Sequence, residues 1–108
     1  MIYFKNFTLD GTVQSLADLD ADSAPVHRPI KWIRIENTTG NADIQLGVVA
    51  GGVNPTLSAT VYGRLIEDGP TAAAEIGPFG GGECPFNLED LRVLGTDTQI
   101  LHLMYMTL

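Results

Sequence analysis

The chain has 108 residues, 44% hydrophobic and 18% charged, which suits one folded core and is too apolar for an intrinsically disordered tail. Six basic residues against 13 acidic ones leave a net charge of −7, which repels a phosphate backbone and disfavours nucleic-acid binding. A lone cysteine, Cys84, excludes an intrachain disulfide, and Met1-Ile2-Tyr3-Phe4-Lys5 followed by Asp10 is expected to be neither a signal peptide nor a membrane span.

Twelve glycines and six prolines cut the chain into pieces too short for most helices, and threonine and aliphatic residues fill the pieces, so the reading is all-β. Residues 2–9 alternate Ile2, Phe4, Asn6 and Thr8 against Tyr3, Lys5, Phe7 and Leu9. Asp10-Gly11 then predicts a tight turn and a hairpin with Thr12–Leu16. The acidic, proline-containing stretch 17–29 reads as a loop. Strand character resumes over Ile30–Glu36. Asn37-Thr38-Thr39-Gly40-Asn41 predicts a turn into 42–49, with Ile44, Leu46 and Val48 on one face, so 31–49 is expected to be a hairpin. After a glycine-rich loop at 50–55, a strand is expected over Leu57–Ile66, and a short strand or single helical turn over 72–76. Residues 77–85 are irregular around Phe79 and Gly80-Gly81-Gly82, and Asn87-Leu88-Glu89-Asp90 fits a cap with one turn. Residues 91–94 and 99–107 flank Gly95-Thr96-Asp97-Thr98 as a second hairpin. The last strand is apolar on both faces, Leu101, Leu103 and Tyr105 against Ile100, His102, Met104 and Met106, and is therefore expected to be central or covered on both sides. The expected architecture is an antiparallel β-sandwich, jelly-roll-like, of about seven to eight short strands in a single domain spanning 1–108, with 1–9 an interface strand or arm.

Chemistry-bearing constellations are sparse. Asp18-Leu19-Asp20-Ala21-Asp22 places alternate carboxylates on one side of an extended segment, but a calcium loop begun at Asp18 has Ser23 and Pro29 where glycine and glutamate are needed. A solvated acidic loop is the better reading. His27 and His102 have no second ligand at zinc spacing, and Glu83 beside Cys84 disfavours a thiolate nucleophile. The 77–82 glycine loop lacks the lysine and hydroxyl of a phosphate-binding loop. Trp32 and Tyr62 offer sugar-stacking surfaces but fit core or rim positions as well. No metal and no cofactor is expected, and no enzyme activity.

The stretch Ile33-Arg34-Ile35-Glu36-Asn37-Thr38-Thr39-Gly40-Asn41-Ala42-Asp43-Ile44-Gln45-Leu46-Gly47 resembles small β-sandwich structural proteins of tailed bacteriophages. So do Pro85-Phe86-Asn87-Leu88 and Leu91-Arg92-Val93-Leu94-Gly95-Thr96 with the apolar strand that follows. The resemblance covers about half of the chain. It implies a capsid cement or decoration protein on the outer surface of the virion, made in the host cytoplasm, with the major capsid protein as partner and a homotrimer as its form. Nucleic acid and membrane are not among the expected partners. The alternative it implies is a tail or head-fibre accessory module that binds a receptor or glycan. Tyr3, Phe4, Phe7, Phe79, His102, Met104 and Met106 are the expected contact residues, because the aromatics exceed what one small core with Trp32 and Phe86 can hold and the final strand is apolar on both faces.

Overall fold

A computed structural model describes residues 2–16, 29–37, 42–50, 52–69, 72–77 and 86–107. They form an all-β antiparallel sandwich with strands β1 (Ile2–Thr8), β2 (Gln14–Ser15), β3 (Pro29–Asn37), β4 (Ile44–Val48), β5 (Arg64–Ile66), β6 (Ala73–Ile76), β7 (Phe86–Asn87), β8 (Leu91–Leu94) and β9 (Ile100–Thr107). One sheet runs β1-β9-β3-β6, with the two-residue β7 also on β3; the other runs β2-β8-β4-β5. A 3-10 turn at Leu88–Asp90 stands where the cap and single turn were expected.

The inward faces are supplied by strand alternation. Phe7, Leu9, Ile33, Ile35, Leu101, Leu103 and Tyr105 from the first sheet meet Leu16, Ile44, Leu46, Ile66, Leu91 and Val93 from the second, all buried. Each such side chain removed from water stabilises the fold by about 1.5–3 kcal/mol. In β3, Ile30 and Ile33 are both fully buried although three residues apart, which strict alternation forbids. A register shift between Ile30 and Trp32 inserts the extra residue that turns both inward.

Three expected hairpins are overturned. β1 pairs with β9 from Ile2↔Met106 to Thr8↔Ile100, not with β2, which pairs with β8 in the opposite sheet. β3 and β4 belong to different sheets, and so do β8 and β9. The turn residues are present, but they turn the chain across the core rather than back along its own sheet. At the first corner Asp10 accepts hydrogen bonds from the Thr12 amide (2.9 Å) and hydroxyl (2.6 Å), with Gly11 at φ 83°, while Leu9 stays bonded to Gln99 and Thr98, the residues that lead into β9. The expected strand over Leu57–Ile66 is also shortened. Only Arg64–Ile66 is extended, because Ser58 and Val61 bond to each other as a local turn. The last strand is central, between β1 and β3, as its two apolar faces predicted.

Candidate interaction surface

The outward-facing positions of the first sheet form one contiguous surface. Register aligns Phe4, Met104, Arg34 and Glu75 in one row across four strands, and Asn6, His102, Glu36 and Ala73 in the next. Ile2, Met106 and Trp32 form a third row on the far side of Phe4. The surface is thus apolar at one end and polar at the other. Phe4 is 73% exposed and Ile2 50%, unusual for large hydrophobic side chains in a regular strand, while Trp32, Met104 and Met106 are half-buried.

The polar end is tied within itself. Arg34 donates to Glu36 and to Glu75, 2.9 Å each, and these carboxylates hold its guanidinium more firmly protonated than usual. His102 Nδ1 lies 2.7 Å from Asn6 Oδ1, so the ring donates from Nδ1 and leaves Nε2 for solvent or a ligand. Between the two ends is a shallow depression of about 260 Å³ lined by Phe4, Asn6, Arg34, Glu36, His102 and Met104. Its residues supply stacking, apolar contact and hydrogen bonding. They do not combine a nucleophile, a base and an orienting group.

Four of the expected contact residues meet on this face: Phe4, His102, Met104 and Met106. Two do not. Tyr3 turns inward and stacks on Tyr105 with ring centroids 5.2 Å apart, and Phe7 is a core residue at 5% exposure. The reason is the alternation of β1, which cannot send Tyr3 and Phe4 to the same side. Phe79 lies outside the described residues, as do His27, Cys84 and the acidic run 18–22. Among the described residues no group of three or more His, Cys, Asp or Glu side chains is placed to hold a metal ion. Ile2, Asn6, Arg34, Glu36 and Glu75 join the surface without having been singled out, and so does Trp32, read from the sequence as a sugar-stacking, core or rim aromatic and not as a contact residue. Ile2 and Asn6 were within reach of the alternation already read in β1, whereas the ion-paired trio depends on β3 pairing with β6.

The outer face of the second sheet differs. Pro55 and Leu57 of the 52–63 loop pack so closely on Gly47 that a side chain there would collide with both, so the chain covers part of that face itself.

Comparison with protein-family models, curated proteins and solved structures finds no match to this chain.

Proposed function

We propose that the protein is a structural component of a phage particle, a capsid cement or decoration protein that packs the outer face of its β1-β9-β3-β6 sheet against the major capsid protein. The observation that carries this reading is the apolar end of that face, where Ile2 and Phe4 stand exposed beside half-buried Trp32, Met104 and Met106. Aromatic and methionine side chains with few charges are the usual composition of an interface centre. The role asks for no catalysis. Four strands about 4.8 Å apart and about seven residues long offer roughly 450 Å² per copy, below the roughly 800 Å² per partner of a standard interface. One contact is therefore weak, and holding a shell requires several at once, as the homotrimer implied by the phage resemblance supplies. The net charge of −7 favours the outside of the shell, away from packaged DNA.

The test compares shells stripped of the protein with shells given back the wild-type chain or Phe4→Lys. Wild type is expected to bind and to raise the temperature at which the shell opens. Phe4→Lys is expected to fold normally, since Phe4 contributes little to the core, and to bind at least about tenfold more weakly. Equal heat resistance with and without the protein, or its location at the tail alone, rejects the cement reading.

A second reading, a tail or head-fibre accessory module that binds a receptor or glycan, is favoured by the depression beside Phe4. An aromatic ring bordered by Asn6, Glu36 and His102 offers stacking and hydroxyl hydrogen bonds to a sugar. Glycan-array binding that Phe4→Ala abolishes is the outcome that selects it.

A further inference from the structure

Among the described residues, β5 stops short of the end of β4: the pairing ends at Leu46, whose carbonyl accepts from the Gly63 amide at 2.8 Å. β5 pairs with only Ile44, Gln45 and Leu46 of β4, whereas β8 accompanies β4 as far as Val48. Beyond Leu46, among the described residues, no strand continues the ladder on the β5 side. The space on that side opens toward the core. Leu46 and Leu91, only 3% and 5% exposed, line a groove of about 240 Å³ together with Val48, and Ile76 reaches it from the opposite sheet.

Gly63 and Arg64 complete the lining where β5 begins. Arg64 is unlike the other described arginines. Arg34 is held by two glutamates, and Arg92 by Asn54 and by the backbone carbonyls of Glu89 and Leu91. Arg64 is exposed and its guanidinium has no hydrogen-bond or ion-pair partner among the described residues, in a chain with 13 acidic side chains. An apolar groove with an unneutralised guanidinium beside it complements an apolar group next to a carboxylate.

We propose that this groove receives an extended segment of a partner protein. The segment runs beside Val48, past the end of β5, puts one large apolar side chain between Leu46, Ile76 and Leu91, and pairs a neighbouring Asp or Glu with Arg64. A strand is favoured over a small molecule because the groove is bounded by an open backbone edge, where main-chain hydrogen bonds supply affinity and side-chain pockets supply selectivity. The groove is of a size that suits a single apolar side chain. This surface is separate from the outer face of the first sheet, so the inference does not depend on the cement reading.

The test titrates the full, isotopically labelled chain with the acetylated and amidated pentapeptide Thr-Val-Leu-Asp-Thr and follows amide and methyl resonances. Saturable shifts are expected at Leu46, Gly63, Arg64, Ile76 and Leu91. Replacing the peptide's Asp by Lys, or Arg64→Gln in the protein, is expected to weaken binding about fivefold or more. Arg64→Gln is expected to leave the rest of the spectrum unchanged and to bind an Asn-containing peptide as well as wild type does. No saturable shift at about 5 mM peptide, shifts confined to the outer face, or equal affinity for the Asp and Lys peptides overturns the proposal. So does binding of octanoate at these residues without binding of the peptide, which assigns the groove to a free carboxylic acid.

Discussion

Asn37 and Gln99, 3% and 2% exposed, are the polar pair on which three chain crossings depend. Asn37 Nδ2 donates to the carbonyls of Ala42 (2.9 Å), Glu67 (3.3 Å) and Ile66 (3.4 Å), while its Oδ1 accepts from Gln99 Nε2 at 3.0 Å. Gln99 Nε2 also donates to Ala42, and its Oε1 accepts from the Thr96 amide at 2.8 Å. The two amides thereby bond to backbone groups just before β4, at the end of β5 and just beyond β8. Truncating either strands several buried partners, so Asn37→Ala or Gln99→Ala is expected to cost about 2–4 kcal/mol in urea unfolding. The double variant should lose less than the sum, because the two share a bond. A milder effect belongs to Asp10, whose side-chain and then backbone bonds to Thr12 hold its carboxyl below the ordinary 3.8. A group with a depressed folded value stabilises above its unfolded value and ceases to do so as pH falls through the folded one. Asp10→Asn is therefore expected to be less stable than wild type near neutrality, with the difference shrinking progressively below about pH 4, as urea midpoints measured across pH would show.

At the scale of elements, the bulge in β3 is matched by Gly77. That residue has φ 93°, and a Cβ there would meet the Lys31 carbonyl and the Trp32 Cα, the two residues that carry the bulge. Gly52, at φ 77°, has open space around the same position. Gly77→Ala is expected to lose about 2–4 kcal/mol through backbone strain plus collision, and Gly52→Ala about 1 kcal/mol through backbone strain alone, both read from denaturant midpoints. The bulge was legible only in hindsight, as two isoleucines three apart in one strand. Strand existence was easier: the alternations of residues 2–9, 44–48 and 100–107 each mark a strand, and the two-sided final strand marks a sheet centre. Strand partners were not legible. A turn between two alternating runs serves a hairpin and a sheet-crossing corner equally well, and the choice is made by contacts distant in sequence, such as Gln99 with Asn37. The candidate surface follows the same division. Phe4, His102, Met104 and Met106 come from patterns within single strands, whereas Arg34 with Glu36 and Glu75 requires knowing that β3 lies beside β6.

For the molecule as a whole, the consequence of these crossings is that its first and last strands lie side by side, Ile2 against Met106. No local structure can form that pairing early, so closing the largest loop in the chain is part of the folding barrier, and refolding is expected on the millisecond-to-second scale of sandwiches. The pairing offers a direct test. The Leu9 amide donates to Gln99 at 2.7 Å, which makes Leu9 and Gln99 hydrogen-bonded partners and Thr8 and Ile100, one step along, a non-hydrogen-bonded pair. Such pairs bring Cα atoms to about 4.5 Å, within the range a disulfide accepts. Thr8 and Ile100 both face outward, so replacing them leaves the core unchanged. Thr8→Cys/Ile100→Cys, with Cys84→Ser to prevent mispairing, is expected to oxidise in the folded state. The bridge closes a loop of roughly 90 residues and is expected to stabilise by about 4 kcal/mol relative to the reduced form. Refolding of the oxidised variant should be faster, because the slow closure is already made. A β1 that paired with β2 as a hairpin would give neither result: the thiols would remain reduced in the native protein, and oxidation in denaturant would block folding instead of hastening it.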